Sequence, residues 1–214
     1  MKVLGLDFDN TLVEYDNLFH RIAMERKLIG KNIPANKKLI REYLRSKGKE
    51  EEFTLLQGEI YGNRILEAEP SPGMLNTLKR LNKCQIKMVL VSHKTLKPYK
   101  GPAYDLQKAA WNWLKKYKFD KKEFLNWGDE QVFFETTKEK KIERIKTLGC
   151  NWYVDDLPEI LKQLPDDISK IYYNPKRDTQ CKGSLIDHAG NWDEIEKFIR
   201  RTDTEKYSKD NRQD

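Results

Sequence analysis

Two aspartates stand two positions apart directly after a short apolar run, Val3–Leu6, and are followed at once by an asparagine and a threonine. These residues are Asp7, Asp9, Asn10 and Thr11. Alternate side chains of an extended segment point the same way, so both carboxylates would face one site. Carboxylates placed in this way can act as a nucleophile or as a general acid and base, or they can hold a cation.

Polar side chains also follow two other predicted strands and begin one predicted helix. The carboxyl ends of parallel strands meet at one edge of a sheet, so we expect these side chains to lie near Asp7 and Asp9. A single acid in such a position is more often a turn former or a helix cap. Acids and other polar residues at the ends of several strands together favour a ligand site. The side chains are Ser92, His93 and Lys94 after the second strand, Asp155 and Asp156 after the fourth, and Lys138, Lys140 and Lys141 at the helix start.

Carboxylates crowded at one edge repel one another and would lose their charge unless a cation holds them ionised. Oxygen ligands of this kind favour Mg²⁺, whose coordination is completed by water and substrate phosphate. Zinc is not favoured, because no cluster of histidines and cysteines accompanies the acids. The sequence therefore predicts a magnesium site beside Asp7.

The elements that would position this site alternate between strand and helix. Amphipathic helices are expected between and after the predicted strands, one of them starting at a capping box formed by Thr136 and Glu139. This alternation predicts an α/β fold with a Rossmann-like parallel sheet flanked by helices. The predicted strands are 3–6, 86–92, 131–135, 152–154 and 170–174, and the later helices start near 72 and 103, end near 148, and cover 158–164 and 192–201.

Residues 16–69 interrupt this alternation with three helical stretches and no strand. We therefore predict an α/β core from residues 1–15 and 70–201, with a small all-helical cap, 16–69, inserted after the first strand. Residues 202–214 have almost no apolar side chains to bury and are predicted to be disordered.

Taken in order, the motifs resemble those of the haloacid dehalogenase (HAD) superfamily of aspartate-nucleophile phosphatases. "DFDNT" is similar to its D-x-D-x-T signature, and "MVLVS" is similar to its second motif, a strand ending in Ser or Thr. "KIERIKTLGCNWYVDD" resembles its third and fourth motifs, a lysine on a helix and a strand ending in paired acids. The resemblance spans residues 3–164, and the order of all four motifs makes it specific.

The resemblance implies a role for each motif residue. Asp7 would attack phosphorus and form an aspartyl-phosphate, and Asp9 would protonate the leaving oxygen and then activate water. Ser92 would donate a hydrogen bond to a phosphoryl oxygen. Mg²⁺ would be held by Asp7, by the main-chain carbonyl of Asp9 and by the acid pair, with Asp156 favoured as direct ligand and Asp155 as its indirect partner.

A lysine would neutralise charge on the nucleophile and on the transferring group. Its separation from Asp155 favours Lys141, while Lys138, one turn earlier on the same helical face, is the alternative. Lys140 is expected to be solvated.

Substrate contacts are expected at the ends of the first two strands. In the cap, a helical stripe of polar and aromatic residues could face the site, but we favour its interpretation as a seam between helices. The expected substrate contacts are Asn10, Thr11, His93 and Lys94, and the stripe consists of Gln57, Tyr61 and Arg64.

The formal net charge of +7 favours anionic partners such as phosphates, although a lysine-rich solvated surface would give the same value. The apolar runs are too short to span a membrane, and the N-terminus lacks the pattern of a signal peptide. These features predict a cytoplasmic protein without membrane contact, whose cysteines Cys84, Cys150 and Cys181 are reduced and buried. The sequence predicts no oligomeric state.

The leading functional prediction is a Mg²⁺-dependent HAD-type phosphatase that hydrolyses a small soluble phosphorylated metabolite. A phosphomutase would use the same chemistry. A nucleic-acid end phosphatase is permitted by the charge, but no recognition module is present and a closing cap would obstruct a polymer. A non-catalytic binding protein on the same fold is disfavoured, because the complete set of motif residues is present.

Overall fold

In the part of the chain that the structure describes, six of eight strands form one parallel sheet, and the other two form a separate antiparallel ribbon. The structure is a computed structural model that describes residues 2–177 and 186–210, and only the backbone of 204–210. The strands are β1 (Val3–Leu6), β2 (Val13–Glu14), β3 (Glu69–Pro70), β4 (Lys87–His93), β5 (Val132–Glu135), β6 (Trp152–Asp155), β7 (Ser169–Tyr173) and β8 (Ile186–Ala189).

The order of strands in the sheet is β5-β4-β1-β6-β7-β8, and every neighbouring pair is parallel. Strand β1 thus lies between β4 and β6, and this neighbourhood brings three of the motif-bearing strand ends together. The predicted α/β fold with a Rossmann-like parallel sheet is confirmed. Strand β8, at one edge of the sheet, was not predicted.

Helices cover both faces of the sheet. The helices are α1 (Asp16–Glu25), α2 (Lys37–Ser46), α3 (Glu50–Tyr61), α4 (Met74–Lys83), α5 (Leu106–Lys116), α6 (Lys138–Thr147), α7 (Pro158–Leu161) and α8 (Trp192–Asp210), with a 3-10 turn at Ile65–Glu67. Helices α4, α5 and α8 share one hydrophobic cluster with the helices between β2 and β3, whereas α6 and α7 pack on the opposite face.

Side-chain alternation explains how the central strands serve both faces. In β4, Met88 and Leu90 pack into the first cluster, and Val89 and Val91 pack into the second. All four are buried because helices cover both sides of the sheet, which is the usual reason for a continuous apolar run in a parallel strand. The predicted site therefore lies at the end of strands that are packed on both faces.

Helices α1 to α3 and the 3-10 turn occupy residues 16–69, which we call the cap segment. Its two connections to the sheet lie side by side, because β2 and β3 pair in antiparallel register. Helix α3 approaches the loop after β4 so closely that a Cβ added at Gly62 would lie 2.5 Å from the Tyr104 Cβ. The division of the chain into core and cap domains stays a prediction.

Several local expectations differ from the structure. Helix α6 is capped by Thr137, whose side chain accepts a hydrogen bond from the Lys140 amide, and not by Thr136. Helix α4 begins at Met74, because Gly73 adopts a positive φ of 83° just before it. Helix α8 runs to Asp210, nine residues beyond the predicted end at Arg201, so the predicted disordered tail begins inside a helix, and its residues 211–214 lie outside the described part.

The cysteines differ from one another. Cys150 is buried as expected, but Cys84 is exposed just after helix α4, which corrects the prediction of buried thiols. Cys181 lies outside the described residues. None of the described helices combines the length and apolar character needed to cross a membrane.

Candidate active site

Asp7 lies directly beyond the end of β1 and is almost fully buried, with 4% of its surface exposed. Its backbone amide donates to the Val154 carbonyl at 3.0 Å, which extends the pairing of β1 with β6 and fixes the position of the side chain. Its Oδ1 accepts hydrogen bonds from Lys141 Nζ at 2.7 Å and from Ser92 Oγ at 2.9 Å. Among the described residues no hydrogen bond reaches Oδ2.

Lys141 bridges two aspartates in the interior. Its ammonium lies 2.7 Å from an oxygen of Asp7 and 2.7 Å from an oxygen of Asp155, and only 1% of its surface is exposed. Burial alone would lower the pKa of Lys141, but the two carboxylates outweigh it and hold the pKa well above its usual value. Lys141 is therefore charged in the folded protein.

Lys138, the alternative to Lys141, points away from this cluster. Its ammonium lies 3.3 Å from Glu159, and both side chains are about half exposed. Helical spacing explains the difference, because residues three apart on a helix differ by about 60° in direction. Of the two lysines that the sequence left open, only Lys141 lies beside Asp7.

Asp9 is held by two side chains. Tyr15 Oη donates to Asp9 Oδ1 at 2.7 Å, and Lys94 Nζ lies 3.0 and 2.9 Å from the two carboxylate oxygens. Lys94 is buried between the rings of Phe8 and Tyr61, whose centroids lie 5.1 and 5.0 Å from Nζ. Buried aromatic faces stabilise such a cation, so the position of Lys94 is well determined.

Three carboxylates come together beneath the cavity. Oxygens of Asp7, Asp155 and Asp156 all lie within 4.8 Å of one another. Burial raises the pKa of both Asp155 and Asp156, and the neighbouring carboxylates raise that of Asp156 further. A set of oxygen donors that is costly to keep ionised fits a hard divalent cation such as Mg²⁺.

Asn10 turns the chain beneath this cluster. It adopts a positive φ of 58°, which asparagine tolerates better than most residues, and its side-chain amide donates to Asp156 Oδ2 at 3.0 Å. Asp156 is half-buried and lines the cavity, whereas Asp155 is fully buried and accepts hydrogen bonds from Lys141 and from the Leu157 amide. The two adjacent acids thus have different surroundings.

The site is a cavity of about 270 Å³ that lies between the sheet edge and the cap segment. Core residues Asp7, Asp9, Ser92 and Lys141 line one side. The cap segment contributes the other side through Lys37, Thr54, Gln57, Gly58 and Tyr61.

The stripe of Gln57, Tyr61 and Arg64, which we interpreted as a seam between helices, does not face a single surface. Gln57 and Tyr61 face the cavity, while Arg64 forms ion pairs with Glu67 and Glu25 outside it. The seam interpretation is wrong for Gln57, because the C-terminal half of α3 crosses over the sheet edge. It holds in part for Tyr61, which lines the cavity and also packs against Phe19 of α1.

The expected substrate contacts fall into two groups. Asn10, His93 and Lys94 line the cavity, with Lys94 engaged by Asp9 and with the His93 ring nitrogen Nε2 3.2 Å from the Thr136 carbonyl oxygen. Thr11 is fully buried and does not line the cavity, and its carbonyl accepts a hydrogen bond from Ser71. The position of Thr11 therefore does not support a substrate contact.

Two residues of the site have no sequence signal that would identify them. Tyr15 lies six residues after Asp9 and contacts it because the intervening turn brings the chain back beside Asp9, where Val13 forms a bridge with it. Lys37 belongs to a helix of the cap segment, and only the docking of that segment brings it to the cavity. Both depend on tertiary structure.

Comparison of the structure with solved structures identifies the fold. A HAD hydrolase from Bacillus subtilis bound to magnesium matches with a TM-score of 0.61 at 13% identity over 92% of this chain and 98% of the other. A predicted phosphoglycolate phosphatase from Haemophilus somnus matches with a TM-score of 0.55 at 15% identity over 93% and 98%. A haloacid dehalogenase-like hydrolase from Burkholderia xenovorans matches with a TM-score of 0.53 at 15% identity over 91% and 94%.

Similarity at these identities concerns the fold, since proteins that share a fold can differ in the reaction they catalyse. No protein-family model and no curated protein matches the sequence. The order of the motifs along the chain, the topology of the sheet and the similarity over nearly the whole length of each matching chain agree with one another. On these grounds, the chain has the fold of the haloacid dehalogenase superfamily of hydrolases.

Proposed function

We propose that the protein is a Mg²⁺-dependent phosphatase that hydrolyses a small phosphomonoester through an aspartyl-phosphate on Asp7. The observation that carries this proposal is that the two carboxylate oxygens of Asp7 have different surroundings. Oδ1 is occupied by Lys141 and Ser92, and Oδ2 has no hydrogen bond from the described residues. One oxygen thus holds the carboxylate in place while the other is open to attack phosphorus.

In the first step, Asp7 Oδ2 would form a bond to phosphorus as the bond between phosphorus and the leaving oxygen breaks. The leaving oxygen takes a proton from the Asp9 carboxyl group, which lines the same cavity and is oriented by Tyr15 and Lys94. Proton transfer is needed when the leaving group is an alkoxide, which is a strong base. The presence of a positioned second acid therefore supports a phosphate ester as substrate.

In the second step, Asp9 would take a proton from water, and the water oxygen attacks phosphorus to release phosphate and free Asp7. Lys141 lies 2.7 Å from Asp7 and remains charged, so it can offset negative charge on the transferring group throughout. Ser92 is placed to donate to a phosphoryl oxygen in place of Asp7 Oδ1.

The residues that would hold Mg²⁺ are Asp7, Asp156 and the main-chain carbonyl of Asp9, with Asp155 as an indirect partner. When bound, the ion would neutralise phosphoryl oxygens and keep the surrounding carboxylates ionised. The burial of Asp155 against Lys141, and the exposure of Asp156 to the cavity, support this division between the acids.

The size of the cavity supports a small substrate. The part of the site around Asp7 measures about 270 Å³, near the lower end of the range of small-molecule sites, and the cap segment covers it with α3. The end of a nucleic-acid strand would have to displace that helix to reach Asp7. We therefore propose a small phosphorylated metabolite as substrate rather than nucleic acid.

The test is phosphate release from p-nitrophenyl phosphate and from a panel of phosphorylated metabolites, with Mg²⁺ and with a chelator. Wild type is expected to turn over only with Mg²⁺, and Asp7→Asn is expected to be inactive by at least about 10³-fold. Asp9→Asn should accumulate a covalent phosphoenzyme that hydroxylamine cleaves, because the second step lacks its base.

Activity of Asp7→Asn close to that of wild type would overturn the proposed nucleophile. Release of halide from 2-chloropropionate, without phosphate release from any ester, would overturn the proposed reaction, since a halide leaves without a proton. Preferential dephosphorylation of oligonucleotide ends would overturn the proposed substrate class.

A further inference from the structure

Lys37 of the cap segment reaches the cavity from a fixed backbone position. It is the first residue of α2, where the Asn36 side chain accepts a hydrogen bond from the Leu39 amide. The backbone amide of Lys37 itself donates to Asp16 Oδ1 at 2.8 Å. These two contacts anchor the start of the helix, so the direction in which the Lys37 side chain leaves it is determined.

The Lys37 ammonium is held by aromatic side chains from the two other helices of the cap segment. Nζ donates to the Tyr61 hydroxyl at 2.5 Å and lies 5.4 and 5.2 Å from the ring centroids of Phe19 and Tyr61. Tyr61 is its one hydrogen-bond partner among the described residues, and none of their carboxylates lies within ion-pair distance. Lys94 and Lys141, by contrast, are each paired with an aspartate.

A second cavity of about 750 Å³ adjoins the first, and Lys37 lines both. The two cavities also share Asn10, Gln57, Asp156 and Leu157, so they meet at the sheet edge beside the cap segment. A substrate whose phosphoryl group lies at Asp7 can therefore extend past Lys37 into the second cavity.

Three other cations of the described residues line the second cavity, namely Lys38, Arg41 and Lys176. Lys38 is exposed and does not line the first cavity. Arg41 forms an ion pair with Glu50, and Lys176 forms one with Asp16. Among the residues that the structure describes, Lys37 is thus the partly buried cation at the junction, and aromatic faces and a hydroxyl surround its charge in place of a carboxylate. A charge in such a position is costly to desolvate, and an anion in the cavity would compensate it.

We propose that Lys37 binds a second anionic group of the substrate, so that the substrate is a phosphomonoester whose leaving group carries a further phosphate or carboxylate. This inference rests on the proposed function for the position of the first phosphoryl group. Lys37 would then determine specificity without taking part in the chemical steps. Its contribution would be a charge-assisted hydrogen bond made across the junction of the two cavities.

The test is a binding measurement that needs no turnover. Calorimetry in the presence of Mg²⁺ would compare alkylphosphonates with α,ω-bisphosphonates and ω-carboxyalkylphosphonates of two to six methylenes, using the full chain. At the best length, wild type should bind a doubly anionic compound about 10- to 100-fold more tightly than the matching monophosphonate. Lys37→Met should lose most of this preference and keep its affinity for the monophosphonate.

Three further variants make the comparison specific. Lys31→Met removes an equal charge from an exposed position of the cap segment outside both cavities and should keep the wild-type preference. Lys37→Arg, which retains the charge, should keep part of it. Lys37→Gln provides a second neutral variant should the methionine variant fail to fold, and it should behave as Lys37→Met.

An unchanged preference in the folded neutral variants, or no preference for doubly anionic compounds in wild type, would overturn the inference. Tighter binding of the bisphosphonate or of the carboxylate identifies which anion Lys37 accepts. A preference that depends on Lys37 in a protein that releases no phosphate from any ester would sustain the anion site and overturn only the proposed reaction. Turnover of p-nitrophenyl phosphate without such a preference would sustain the proposed reaction and overturn only the anion site at Lys37.

Discussion

The Lys94 ammonium lies 3.0 and 2.9 Å from the two carboxylate oxygens of Asp9, and it makes this contact while buried between two aromatic rings. A residue in this position orients Asp9 and has little freedom to follow a substrate. The sequence suggested that Lys94 contacts substrate phosphate. The geometry favours a positioning role for Lys94, because its charge is already paired.

We expect Lys94→Met to slow the hydrolysis of alkyl phosphates about 10²-fold, because Asp9 loses its orientation and general acid catalysis by one side chain is commonly worth about 10² to 10⁴. The loss with p-nitrophenyl phosphate should be smaller, since p-nitrophenolate leaves without a proton. Steady-state kcat and KM on both substrates check this prediction. An equal loss on both, mostly in KM, would instead indicate that Lys94 binds phosphate.

Lys141 and Lys138 should differ sharply when each is replaced by alanine. Lys141→Ala leaves Asp7 and Asp155 buried without a cation, so we expect a loss of about 3 to 5 kcal/mol in the free energy of unfolding, together with loss of activity. Lys138→Ala removes a half-exposed ion pair with Glu159, which is worth about 1 kcal/mol or less.

Urea unfolding and phosphate release measured side by side test the difference between the lysines. The structure of each variant is checked by circular dichroism before kinetic measurement. A stable, active Lys141→Ala together with an inactive Lys138→Ala would reverse the assignment.

Gly62 is expected to be intolerant of a side chain. Its Cβ would lie 2.5 Å from the Tyr104 Cβ, an atom that cannot move without its backbone. Gly62→Ala should therefore lower the free energy of unfolding by about 1 to 3 kcal/mol through overpacking between α3 and the loop after β4. Thermal or urea unfolding measures the effect.

Gly128→Ala is the matched control for Gly62→Ala. The added Cβ at Gly128 meets its nearest neighbour, Gln131, at an ordinary 3.8 Å. Gly128→Ala should stay within about 0.5 kcal/mol of wild type or gain slightly in stability, as expected of a glycine replacement that meets no clash. Equal losses in the two variants would show that the contact with Tyr104 is not the cause.

Burial raises the pKa of the Cys150 thiol from its usual 9.0 to about 12. Below pH 9 the thiol is protonated in both states and its pKa shift has no effect on stability. Between about pH 9 and 12 the unfolded chain loses this proton while the folded protein keeps it, so the free energy of unfolding falls by about 1.4 kcal/mol per pH unit.

Unfolding of wild type and Cys150→Ala across pH 8 to 11, at about one-unit steps, isolates this component. The decline with pH should be shallower in Cys150→Ala than in wild type. Iodoacetamide at neutral pH should modify the exposed Cys84 and spare Cys150 in the folded protein. Parallel pH profiles for wild type and Cys150→Ala would contradict the assignment.

Much of the architecture follows from local signals. Apolar runs such as 86–92 are strong strand signals because both of their faces must be buried, and their alternation with helices favours a parallel sheet. The edge strand β8 was missed because Ile186–Ala189 contains polar residues, and its side chains are less buried than those of the central strands. Helix ends shifted by a few residues, since caps such as Thr137 compete with equally plausible neighbours.

The sequence by itself determined which side chains meet at the sheet edge, because the carboxyl ends of adjacent parallel strands must coincide. Asp7, Ser92 and Asp155 are examples, joined through Lys141 and direct hydrogen bonds. Only the tertiary structure decided that Lys141 and not Lys138 lies beside Asp7, and that Lys37 enters the cavity. Those positions depend on helix rotation and on how the cap segment docks, which result from packing among residues distant in the chain.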